Sequence, residues 1–272
     1  MTGLKIVLAL TIALLTACAG APETPETTAE ESEPSVVTTA DTVPNQLDAI
    51  MRDLSPRAGR PIFLGVSPRL RIRDDEEARA ILHVAEQASR YARIGARYQL
   101  VTQRGGRSVG YLDDIQANWD ADFADRLIDS VEILQTIRDD QGTYVLAQVE
   151  GIPPAPAIDM GDHLHGTDEP RWLSQPPVIP GFLVTVGVSL RSRRLRDSVD
   201  TADQEALKEI LLQAGTTVRL MEERRDVDRV GTTERTTAAE DAEAVLRQFL
   251  VLARYTPPDG RYYYSLVIAR EE

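Results

Sequence analysis

The chain has 272 residues, with 43 acidic against 30 basic side chains and a formal net charge of −13 at neutral pH. Such an acidic chain is a poor ligand for nucleic acid and does not adhere unaided to anionic lipid, because both carry its own sign of charge. The single cysteine excludes an internal disulfide, so the fold must rest on packing alone.

At the N-terminus, Lys5 precedes an apolar run from Ile6 to Leu15, and small residues follow. This is the layout of a secretory signal, and the run is too short to cross a bilayer as a mature helix. The run ends in Leu15-Thr16-Ala17-Cys18-Ala19-Gly20, which resembles the lipobox of bacterial lipoproteins. That resemblance implies cleavage after residues 1–17 and lipidation of the Cys18 thiol. Two or three acyl chains anchor firmly, at roughly 0.8 kcal/mol per buried CH₂. An ordinary signal peptide cut at Ala17-Cys18-Ala19 is the alternative. Ala19 in place of an Asp resembles a signal for delivery to the cell outer membrane. Losing Lys5 with the signal takes the charge from −13 to −14.

Residues 18–45 are expected to form a lipidated, disordered stalk. They are rich in Pro, Glu, Thr, Ser and Ala and contain no aromatic residue, so they cannot bury enough surface to offset their ordering entropy.

Self-similarity divides the remainder into a first α+β unit over 46–150, a Pro-rich connector over 151–181 and a second α+β unit over 182–272. Gly65-Val66-Ser67 returns as Gly187-Val188-Ser189, Glu77-Ala78 as Glu205-Ala206, and the hairpin turn at Gly142 as that at Gly260. The separations are 122, 128 and 118 residues. In the first unit a strand ends near Ser67. A helix follows, with Asp74, Asp75, Glu76 and Glu77 in its first turn, suited to the positive end of the helix dipole. Ala78, Ile81, Leu82, Ala85, Ala88 and Ala92 give it an apolar face. A β-ribbon over 97–119 turns at Arg104-Gly105-Gly106-Arg107. A second helix spans 121–130, and a hairpin closes the unit. In the second unit the corresponding helix carries Leu207, Ile210, Leu211 and Ala214. A more polar ribbon is expected over 217–236, a second helix over 238–247, and a closing hairpin whose Tyr263 opposes Tyr262 and Tyr264. The pattern predicts an α+β fold of two related units, each a mostly antiparallel sheet with two helices on one face.

Glu169-Pro170-Arg171-Trp172 with Pro176-Pro177, then Val186-Gly187-Val188-Ser189, then an Ala-containing helix and an Asp259-Gly260-x-Tyr262-Tyr263 hairpin resemble the LPP20 group of bacterial envelope lipoproteins. The likeness covers roughly residues 170–270 and, more loosely, 60–150. It implies an α+β fold and an envelope location, and it brings no catalytic residue with it.

Candidate chemistry is sparse. Asp162, His163 and His165 could ligate a metal if their segment is extended, although the spacing matches no established zinc motif. Arg191, Arg193 and Arg194 form a basic patch suited to an acidic partner or a cell-wall carboxylate, or simply a solvated loop. His83 reads as a residue of the helix surface or boundary. No nucleophile elbow or phosphate loop is present. The chain therefore reads as a lipid-anchored outer-membrane protein, not an enzyme and without a cofactor, that assembles with or binds an envelope protein or cell-wall partner. The alternative is a periplasmic ligand- or metal-binding lipoprotein with its site at the junction of the units. A hydrolase using paired carboxylates is the third option.

Overall fold

The computed structural model of the protein describes residues 43–105, 108–164, 169–226 and 239–272. Helix α1, Val43–Arg52, comes first. Leu47, Met51 and, just beyond its end, Leu54 are buried at helical spacing, and Pro44 sits in the first turn, where its missing N–H costs nothing. The stalk boundary expected at residue 45 therefore falls inside α1, a helix the sequence reading passed over.

Strand β1, Phe63–Pro68, leads into helix α2, Arg73–Ala92. The ribbon expected next is present as β2, Ile94–Gly105, and β3, Ser108–Asn118. Helix α3, Ala121–Leu127, continues as a 3-10 turn over Ile128–Ser130. Asp120 starts α3 by accepting the Phe123 N–H at 2.8 Å. Strands β4, Val131–Arg138, and β5, Gly142–Val149, form the first closing hairpin. After the connector come β6, Leu183–Leu190, helix α4, Leu195–Asp226, β7, Ala239–Tyr255, and β8, Tyr262–Glu271.

The fold is α+β, with two wholly antiparallel sheets. One runs β1-β5-β4 and the other β3-β2-β7-β8-β6. In both, a glycine lets a helix press onto a strand. A Cβ on Gly65 would lie 2.0 Å from the Ala80 carbonyl oxygen of α2, and one on Gly187 would lie 1.9 Å from that of Ala202 in α4. The loops between strand and helix are also built alike. Glu76 accepts the Leu70 N–H at 2.9 Å, and Ser198 accepts the Ser192 N–H at 2.7 Å. Both pairs of positions are 122 residues apart, so the helices align at that offset and not at 128.

Four expectations are corrected. The buried residues of α2 are Glu76, Ala80, His83, Val84, Ala85, Gln87, Ala88, Ser89 and Tyr91, so Ala85 and Ala88 of the expected face are core, while Ala78 is exposed because the seat on Gly65 rotates the helix. Of the polar ribbon expected over 217–236, residues 217–226 instead continue α4, and 227–236 lie outside the described residues. The second helix expected over 238–247 is, from Ala239 on, the first half of β7. Ala242, Ala244 and Leu246 are buried there with period two, and the ladder to β2 overrides the helical propensity of Ala and Glu. Finally, the two stretches do not fold as separate small domains. β7 pairs with β2 through its first half and with β8 through its second, and residues 39–272 form one unit.

The connector is part of that body. Trp172 is 1% exposed and Met160 is also buried. The Pro154 carbonyl accepts from the Tyr91 hydroxyl at 2.9 Å and from the Gln248 side chain at 3.0 Å. Gln248 itself has a φ of 55°, at a bulge between Arg247 and Leu250 that kinks β7. Among the described residues no helix is long and apolar enough to cross a membrane.

Candidate functional site

Many of the buried polar side chains hold the fold together. His83, on α2, is buried. Its Nδ1 accepts the Val66 N–H at 3.0 Å, so its own proton sits on Nε2, which lies 3.1 Å from Asp200 Oδ1. One turn on, Gln87 donates to the Leu64 carbonyl at 2.9 Å. Val66 and Leu64 belong to β1, an edge strand, so His83 and Gln87 close that edge with side chains where another strand would pair. The expectation that His83 lies at the helix surface or boundary is corrected accordingly, since it is buried. Burial alone would raise the pKa of Asp200. The His83 Nε2–H and the nearby Arg196 and Arg90 guanidinium groups outweigh it and bring the value down to about 2. Glu76 accepts from Leu70, Arg73 and Thr143. Asp203 binds Arg254 through both oxygens, at 2.7 and 2.8 Å, and Arg254 also donates to Ser265 at 2.6 Å.

A cleft opens where the N-terminal and C-terminal halves meet. Arg90, Trp119, Asp200, Asp203, Leu207 and Phe249 are among the residues lining a cavity of about 80 Å³. The Arg90 guanidinium lies 4.1 Å from the Trp119 ring centre, a cation–π contact that steadies both side chains. Its Nε is buried without a hydrogen-bond partner. Both carboxylates in the wall already face cations or His83, so the cleft presents an aromatic and aliphatic wall more than an acid–base pair.

Strand β6, an edge of the five-stranded sheet, differs from β1, an edge of the three-stranded one. Gly187 faces α4, with Thr185 and Ser189 buried beside it, so Val184, Val186, Val188 and Leu190 project from the opposite face. Val188 is 43% and Leu190 70% exposed. They stand next to Tyr264 and Tyr262 of β8. Just past β6, the Arg191 N–H donates to the Arg261 carbonyl at 2.8 Å. Antiparallel bonding alternates, so the odd-numbered residues of β6 bond to β8. The N–H and C=O groups of Val184, Val186, Val188 and Leu190 point away from the sheet. At the offset of 122, Glu205 and Glu209 stand where α2 has His83 and Gln87. Glu205 pairs instead with Lys208, at 3.9 Å, and an ionised carboxylate has no proton to donate to a strand carbonyl.

The predicted site residues are scattered. Arg191, Arg193 and Arg194 are exposed at the end of β6 and have no ion-pair partner among the described residues, whereas Arg196 binds Glu86 at 3.0 Å and Asp200 at 3.3 Å. Asp162 is exposed, and His163 Nδ1 lies 3.2 Å from the Gln175 carbonyl oxygen. His165 and Cys18 lie outside the described residues. Among the described residues, no three His, Cys, Asp or Glu side chains are grouped to hold a metal. The sequence reading missed the Arg90–Trp119 cleft, which is assembled from distant segments. It also missed the open β6 edge, although the alternation of Val and Leu with Thr, Gly and Ser over 184–190 carried a signal for it. No family model, curated protein or solved structure matches the chain.

Proposed function

We propose that the chain is a lipid-anchored cell-envelope protein whose folded body binds another envelope component without turning anything over. The observation that carries the binding role is the contrast between two of the four edge strands, β1 and β6. β1 is closed by His83 and Gln87, while the outer edge of β6 has no partner strand among the described residues and carries exposed Val188, Leu190 and three arginines. Folds generally blunt such edges, because an open one recruits other chains. The non-catalytic part of the reading is supported by the engagement of His83 Nδ1 and both Asp203 oxygens within the fold. The anchor rests on Cys18 and the apolar run before it, Ala19 favours outer-membrane delivery, and the resemblance to the LPP20 group points the same way.

Replacing Cys18→Ala should move the protein from the membrane fraction to the soluble envelope fraction. Intact-mass analysis of the wild type should show loss of residues 1–17 and gain of acyl chains; an unprocessed N-terminus overturns the anchor. A photo-crosslinker at Val188 in intact cells should capture a partner that one at exposed Asp122 does not. A second reading, a small-ligand site at the junction of the halves, is favoured by the Arg90–Trp119 cleft. It predicts a ligand-induced thermal shift that Trp119→Ala removes. Its metal form, at Asp162, His163 and His165, predicts stoichiometric zinc after dialysis, abolished by His163→Ala with His165→Ala.

A further inference from the structure

We propose that the β6 edge receives, antiparallel, an extended segment of a partner polypeptide that alternates apolar residues and carries acidic residues just before them. This rests on the binding reading above and names the chemistry of the partner. Three independent features converge on the same strand. First, the outward N–H and C=O groups of Val184, Val186, Val188 and Leu190 form a ladder with no partner strand, and adding a strand satisfies them at once. Second, the exposed face carries Val188, Leu190 and Tyr262. Alternate apolar side chains of an incoming strand would extend that face and bury it. Third, the local charge is mostly positive, although Asp197 follows the arginines directly and its carboxylate accepts from the Ser192 hydroxyl at 3.3 Å. From Arg171 to Arg196 the chain contains five arginines and no acid, in a protein of net charge −13. Arg196 is paired, but Arg191, Arg193 and Arg194 stand exposed at the C-terminal end of β6.

The sheet is antiparallel throughout, so an added strand runs opposite to β6 and its N-terminal end lies beside the arginines. The acids of the partner therefore precede its apolar alternation. The arginines also steer an acidic segment toward the edge against the repulsion of the acidic body. A second copy of this chain is a poor occupant. It brings the same arginines, and it has no acid in β6 or within the residues on either side up to Arg171 and Arg196.

The test uses the full lipidated chain in nanodiscs of neutral lipid and a labelled peptide, Glu-Asp-Glu-Thr-Val-Thr-Val-Thr-Val-Ser, followed by fluorescence anisotropy. The peptide should bind, and a control with Lys in place of its three acids should not. Combined Arg191→Glu, Arg193→Glu and Arg194→Glu should weaken binding by about tenfold or more and reverse its salt dependence, since salt then screens repulsion. Val186→Pro should abolish binding while leaving circular dichroism unchanged, because the Val186 N–H points away from β8 and proline is tolerated on that side of an edge strand. If that variant loses its fold, Val188→Lys blocks the same edge. Absence of peptide binding, or binding that ignores both the arginine and the edge variants, overturns the proposal. So do concentration-dependent dimers that Val186→Pro dissolves, since a second copy is then the occupant. A partner crosslinked in cells without peptide binding sinks this inference alone and leaves the binding reading standing.

Discussion

Gly65 and Gly187 set the distance between helix and strand in the two halves, and no side chain fits at either. Gly65→Ala or Gly187→Ala drives a methyl group into a backbone carbonyl and should cost about 3 kcal/mol or more. Gly95→Ala is the matched control. Its nearest neighbour would lie 3.8 Å from the new Cβ, and its effect should stay within about 0.5 kcal/mol in urea unfolding. His83 shows how a residue with a catalytic reputation serves the fold. With Nδ1 engaged by Val66 and Nε2 facing Asp200, it has no free nitrogen to act as a base. The acid side of the stability profile should carry the signature of Asp200. Its pKa is lowered from 3.8 to about 2 in the folded protein, so its contribution is complete above the unfolded value and is lost as the pH falls through the folded one. Asp200→Asn should flatten the loss of stability between those two values. Parallel acid profiles for the variant and the wild type would refute this.

At the scale of elements, β7 decides the architecture. One strand pairs with β2 and β8 in turn, and the Gln248 bulge reorients it between them. The buried Asp203–Arg254 pair fastens α4 to its C-terminal half. Breaking it with Arg254→Ala leaves a buried carboxylate unpaired and should cost about 3–5 kcal/mol, whereas Asp203→Leu combined with Arg254→Met should cost far less. A double variant as unstable as the sum of its singles would show no coupling between the two charges and refute this. The sequence made the hairpins, the β2–β3 ribbon, and the buried face of α4 at Leu207, Ile210 and Leu211 legible, since turn chemistry and periodicity are local. It misassigned residues 239–247, where Ala and Glu favour a helix, because the partner that makes them a strand is almost 150 residues away.

For the molecule as a whole, the two halves depend on one another. Leu64, Val66 and Leu146 of the first half share a buried cluster with Ile210, Leu211 and Val267 of the second. Residues 39–272 should therefore unfold in one calorimetric transition, and a fragment of residues 46–150 should show no cooperative unfolding on its own. Two resolved transitions, or a folded fragment, would restore the picture of separate domains. The sequence by itself determined the acidic charge, the lone Cys18 after an apolar run, the α+β content and the glycine-marked strands, all of which depend on residue type and near neighbours. Only the tertiary structure decided which strand edge is closed and which is open, where Arg90 meets Trp119, and that Trp172 of the connector is core. Those depend on contacts between residues far apart in the chain, whose energies no local pattern records.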